Sequence, residues 1–138
     1  MAPRGILFLC VANSARSQMA EGWARHLAPG AEIHSAGSAP APEGVNPFAI
    51  EAMREIGIDL TTHTSKSVHD IPLERIATVI TLCAEEVCPA FPGGEVERHH
   101  WPLDDPAANP GGNEAVLAAF RRVRDQLGER IKALPGAA

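Results

Sequence analysis

A chain of 138 residues with 45% hydrophobic side chains has the size and apolar content of a single domain, 1–138, around one core. Its formal net charge of -5 has the wrong sign for a general binder of nucleic acid or of anionic membrane, which needs a basic surface to neutralise phosphates. The apolar run near the N-terminus is too short for a membrane span or a signal core, so a cytoplasmic protein is expected, and there three cysteines do not make a static disulfide framework.

Gly5 to Leu9 is a short continuous apolar run ending at a polar loop, the pattern of a central strand buried on both faces. A helix follows from about Ser14 to Leu27, with Ala20, Trp23, Ala24 and Leu27 at three- and four-residue steps and Pro29-Gly30 as the stop. That spacing makes Trp23 a core residue rather than a ligand contact. Ala31 to Gly37 reads as a second, weaker strand, and the Pro-rich stretch from Ser38 to Gly44 reads as a loop able to move over a site. Asn46-Pro47 places a cap before a proline at the first helical position, and Ala49, Ile50, Met53 and Ile56 continue a helix that Gly57 closes. β-Branched residues mark a third strand at Ala77 to Leu82, and a fourth is expected over Glu95 to Trp101. From about Asn113, Val116, Phe120, Val123, Leu127, Ile131 and Leu134 fall on one face of a long C-terminal helix, where Arg121, Arg122 and Arg124 read as a solvated face. Strands alternating with helices predict an α/β three-layer sandwich, a central four-stranded parallel sheet with helices on both faces. Ligands of such sheets bind at the carboxyl ends of the strands, and Cys10 closes the first one.

The run Cys10-Val11-Ala12-Asn13-Ser14-Ala15-Arg16-Ser17 therefore sits where a strand, a tight loop and a helix N-terminus aim backbone N–H groups and the helix dipole at one point. An oxyanion fits there. The same field stabilises a thiolate, which makes Cys10 a candidate nucleophile. Arg16 can grip two oxygens of a tetrahedral anion with its planar fork, Ser17 can donate to the thiolate, and Asn13 suits a left-handed turn. Cys83 and Cys88 form a second cluster after the third strand, and spacing alone leaves open whether they act together or are unrelated thiols.

These residues resemble the arsenate reductases built on the low-molecular-weight protein tyrosine phosphatase fold. The resemblance runs through Asn13 to Gly22, Ser35-Ala36-Gly37, Gly44 to Pro47, His63-Thr64-Ser65, Thr81-Leu82-Cys83 and His100 to Pro106. It implies thiol attack by Cys10 on arsenate, attack by Cys83 on the Cys10 sulfur with loss of arsenite, and closure of a Cys83–Cys88 disulfide that thioredoxin reduces. It also implies Asp105, before Pro106, as the acid for the departing oxygen, although Asp104-Asp105-Pro106 is equally good turn chemistry. Only residues 84–87 separate Cys83 from Cys88, a shorter gap than well-known members carry, so glutaredoxin with glutathione is the alternative donor. Some members hold potassium with residues matching Asn13, Glu21 and Ser35 and an Asp where this chain has Lys66. The Lys66 ammonium is accordingly expected beside Glu21 in place of an ion. A monomer without cofactor or bound metal is expected.

Two other functions compete. A low-molecular-weight tyrosine phosphatase shares loop, acid and fold, but phosphotyrosine needs an aromatic-walled slot. This chain has no Tyr, and Ala107 follows Pro106 where those phosphatases typically carry an aromatic. A thiol-based metal or arsenite-binding protein would use the cysteines with some of the six His residues, yet no Cys-x-x-Cys pair is present, and His99-His100 reads as strand-end surface or core edge.

Overall fold

Every residue of Gly5–Cys10 is buried, as a strand flanked by neighbours and covered on both faces must be, and this segment forms β1. The computed structural model describes residues 4–83, 91 and 94–134. After β1 come α1 (Arg16–Leu27), β2 (Ile33–Gly37), α2 (Pro47–Arg54), β3 (Ile76–Cys83), β4 (Glu97–Leu103) and α3 (Asn113–Lys132), with 3-10 turns at Val68–Asp70, Leu73–Arg75 and Pro106–Ala108. The strands form one sheet in the order β2-β1-β3-β4, with every pair parallel. β1 is thus an inner strand, and its end lies among strand ends carrying Gly37 and Cys83.

The layers follow from alternation along the strands. Ile6, Phe8, Ile80, Leu82, Trp101 and Leu103 face one way and share a cluster with apolar residues of all three α-helices. There α1 contributes Met19, Ala20 and Ala24, α2 contributes Ala49, Ala52 and Met53, and α3 contributes Phe120, Val123, Leu127 and Ile131. Leu7, Leu9 and Val79 face the opposite way, where the 3-10 residue Val68, together with Ile71 and Phe91, covers them. Burying a side chain the size of Phe120 or Leu127 is worth about 1.5 to 3 kcal/mol, so the α3 stripe alone gives the helix reason to dock.

Local signals set the boundaries. Asn46 accepts the Phe48 N–H at 2.8 Å with Pro47 at the first helical position, and Gly57 takes the positive φ (82°) that ends this element. The fourth strand runs two residues beyond the predicted end because β4 is an edge strand, where Pro102 leaves no neighbour without a donor. Trp23 packs on α3, its Nε1 donating to Arg124 O at 2.8 Å. The basic run is not merely solvated: Arg121 and Arg124 both pair with Glu55 beyond α2, at 2.6 and 2.8 Å, tying α3 to α2. Among the described residues no helix is long and apolar enough to cross a membrane.

Candidate active site

Cys10 ends β1 paired with Gly37, is 3% exposed, and is the free cysteine among the described residues. α1 begins at Arg16, two residues later than periodicity predicts, because residues 11–15 stay outside the helix as a loop. Their backbone hydrogen bonds explain why. Ala39 N–H donates to Val11 O at 2.9 Å, and Asn46 N–H donates to Ser14 O at 2.8 Å. Gln18 Nε2 donates to Asn13 O at 3.1 Å. A trans peptide points its N–H opposite to its C=O, so carbonyls held from outside turn the N–H groups of Ala12, Ser14 and Ala15 inward. Those three residues, with Cys10, Arg16 and Asp105, line one cavity of about 260 Å³. The loop from Ser38 to Gly44, read as able to move over a site, lies against the outside of residues 11–15. Gly37 permits this closeness, since a Cβ there would lie 2.2 Å from Val11 O.

Behind the cavity a buried polar chain runs from Cys10 to Glu21. Asn13 holds a left-handed conformation (φ 50°), and its Oδ1 accepts from Lys66 N–H at 2.8 Å and Gln18 Nε2 at 2.9 Å. Because a backbone N–H can only donate, the amide orientation of Asn13 is fixed. Its two Nδ2 hydrogens go to Ser17 Oγ at 2.7 Å and Ser35 Oγ at 3.0 Å. The Ser17 hydroxyl hydrogen is then left for Cys10 Sγ, 2.9 Å away, an arrangement that favours the thiolate. Ser35 in turn donates to Glu21 Oε1 at 2.5 Å.

Glu21 is 4% exposed. Burial works against its charge, but the Lys66 ammonium at 3.6 Å, the Ser35 hydroxyl, and His63 and Arg25 hold its carboxyl below the ordinary value. Lys66 Nζ also donates to Thr64 O at 2.8 Å, so its ammonium stands beside Glu21, the position the sequence assigned to it. His63 donates from Nδ1 to Gln18 Oε1 at 3.0 Å, given that Gln18 spends its Nε2 hydrogens elsewhere. Burial pushes the His63 pKa down, with Glu21 opposing the shift.

The remaining predicted residues fall into three groups. Arg16, 5% exposed, lines the cavity and donates from Nη1 to Leu103 O at 2.8 Å, bridging the anion loop to the end of β4. Asp105 lines the same cavity and its Oδ1 accepts from Ala107 N–H at 3.0 Å, whereas Asp104 lines only a neighbouring cavity. The turn chemistry and the acid position therefore belong to one side chain. Cys83 is buried at the end of β3 and disulfide-bonded; Cys88 lies outside the described residues. Asn13 and Ser17 support the loop from behind. Gln18, on which three segments converge, carried no signal of its own beyond its place in the Asn13 to Gly22 run. No aromatic side chain lines this cavity among the described residues, and no three His, Cys, Asp or Glu of the described residues are grouped to hold a metal ion.

Known proteins share this architecture. The family model for low molecular weight phosphotyrosine protein phosphatase matches residues 5–137. An arsenate reductase of Halalkalibacterium halodurans is 49% identical over 130 residues, covering 92% of this chain and 91% of that protein. Among solved structures, an arsenate reductase in the phosphate-binding state aligns with TM-score 0.77 at 33% identity, covering 94% of each chain. A thioredoxin-dependent arsenate reductase of Corynebacterium glutamicum aligns with TM-score 0.67 at 28% identity, over 96% of this chain and 62% of that one.

Proposed function

Since this chain belongs to the low molecular weight phosphotyrosine protein phosphatase family, with arsenate reductases matching it over nearly its whole length, we propose that it reduces arsenate to arsenite. The observation that carries this reading is the single cavity lined by a thiol, a guanidinium, inward N–H groups and a carboxyl. A tetrahedral oxyanion is held by the N–H groups of the loop and the Arg16 fork. The Cys10 thiolate, favoured by Ser17, attacks arsenic, and Asp105 gives a proton to the departing oxygen, which leaves as water.

Reduction takes two electrons, and thiols supply them. Cys83 thiolate attacks the Cys10 sulfur; the sulfur–arsenic bond breaks with its electron pair staying on arsenic, and arsenite leaves as a Cys10–Cys83 disulfide forms. Cys88 thiolate then attacks Cys83, releasing Cys10 and closing a Cys83–Cys88 disulfide. Cys10 closes β1 and Cys83 closes β3, its parallel neighbour in the sheet, and this placement at the same end of the sheet supports attack between the two thiols. Thioredoxin returns the pair to dithiol. The enzyme acts as a cytoplasmic monomer.

A phosphatase would use the same first step and then let water release the product. Among the described residues, the small cavity with Ala107 on its wall offers an aryl group no aromatic partner, which favours the reductase. The test is arsenate-dependent NADPH oxidation, with thioredoxin and thioredoxin reductase set against glutathione, glutaredoxin and glutathione reductase. Turnover with the first pair is expected. Turnover with the second alone would move the donor to glutathione, and none with either removes the reductase reading.

A further inference from the structure

The polar chain behind Cys10 accounts for the thiol, but not for what keeps two neighbouring carbonyls of the anion loop turned to the same side. The left-handed turn at Asn13 brings Ala12 O and Asn13 O toward one point, where two carbonyl dipoles repel unless a hydrogen lies between them. We propose that Ser65 is a positioning residue of the oxyanion loop. Its hydroxyl donates to both oxygens, at 2.7 Å to Ala12 O and 2.9 Å to Asn13 O. It also accepts the Ala41 N–H at 3.1 Å, and that same N–H reaches Ala12 O at 3.0 Å. One side chain therefore closes a ring across three segments: the anion loop, the loop after β2 and the segment leading to the 3-10 turn at Val68–Asp70.

The consequence lies on the inner side of the loop. Pinning Asn13 O outward keeps the next amide, that of Ser14, turned toward the cavity, and Ser14 is one of its lining residues. Ser65 touches neither Cys10 nor the cavity, so it acts on anion binding through the backbone. Gln18 Nε2 still holds Asn13 O from another direction, and Ala41 N–H still holds Ala12 O. Loss of the hydroxyl should accordingly weaken the oxyanion site without collapsing it. The effect expected is about five-fold in affinity, the scale of one buried hydrogen bond.

This role rests on the oxyanion reading of the loop, and its test separates it from arsenate reduction. In the reduced full-length protein, inorganic phosphate protects Cys10 from iodoacetamide, read by peptide mass spectrometry, and gives a dissociation constant without turnover. Ser65→Ala should raise that constant, and the KM for arsenate, about five-fold, while kcat and the alkylation rate without phosphate stay within about two-fold. Ser65→Thr, which keeps the hydroxyl, should restore both constants to within about two-fold of the parent. An unchanged phosphate constant in Ser65→Ala overturns the assignment. So does a Ser65→Thr variant as weak as the alanine, or an alanine variant whose Cys10 reactivity changes as much without phosphate as with it. A parent that binds phosphate with this Ser65 dependence yet reduces no arsenate would remove the proposed reaction and leave the role of Ser65 standing.

Discussion

Replacing Lys66 by methionine tests the charge arrangement behind the active site. The Lys66 ammonium lies 3.6 Å from a carboxylate that is nearly fully buried, while its own side chain is 26% exposed. At an effective dielectric constant of about 20 the attraction at that distance is about 4 to 5 kcal/mol, before the cost of desolvating both charges. Breaking a fully buried pair costs about 3 to 5 kcal/mol and an exposed pair about 0 to 1. A pair buried at one end only belongs between them, at about 2 kcal/mol, or about 7 °C in melting temperature for a domain of this size. The sign of the pH dependence follows from Glu21, whose folded-state pKa lies below its ordinary value near 4.5. A carboxylate shifted that way adds stability above its unfolded pKa and loses it as pH falls through the lower folded value. In Lys66→Met the carboxylate keeps its ion pair with Arg25 at 2.8 Å but loses the Lys66 charge, and it protonates at higher pH than in the parent. The stability gap between the two proteins should therefore be full at pH 7 and close as pH falls through the lowered folded pKa of Glu21. Urea denaturation of both proteins at pH 7 and at the acid end of that titration measures it. A gap of equal size at both, or none at pH 7, refutes the assignment of the Lys66 charge to Glu21.

Four further outcomes are expected. Cys10→Ser should abolish turnover with any donor, and Cys88→Ser should release about one arsenite per protein and then stall, because the Cys10–Cys83 disulfide has no thiol to resolve it; sustained turnover by the second variant removes Cys88 from the relay. Asp105→Asn should lower kcat by about 100-fold while Asp104→Asn stays within about two-fold, since only Asp105 shares the Cys10 cavity; equal effects would return the pair to turn chemistry. Potassium added to steady-state assays should leave the parent unchanged, with Lys66→Asp becoming potassium-responsive; marked activation of the parent would show that the ammonium does not stand in for an ion. Gly37→Ala should destabilise by about 2 kcal/mol and impair phosphate binding, because its Cβ would meet Val11 O at 2.2 Å; a variant with parental stability and affinity would mean the loop is free to shift.

The parts of this molecule legible in its sequence are those that side chains announce. The apolar run of β1, the Asn46-Pro47 cap, the α3 stripe and the segment from Cys10 to Ser17 each write their role into residue type and spacing, and the strand-end position of Cys10 followed from them. The placement of Lys66 beside Glu21 was also within reach, through a change of residue at one position of a recognised pattern. What was not legible depends on backbone atoms. Nothing in the residue types of Ala39 and Ala41 says that their N–H groups hold Val11 O and Ala12 O, and periodicity carried the first helix two residues too far for the same reason, because those bonds hold residues 11–15 out of it. Ser65 shows the same limit in a side chain: a serine in an irregular segment has no period or partner spacing, and its function arises only where three segments meet. An oxyanion loop is thus specified twice, once by the Cys10 to Ser17 run that supplies its chemistry, and once by distant segments that turn its carbonyls away. A sequence that keeps the first and changes the second should retain a reactive thiol and lose its grip on the anion.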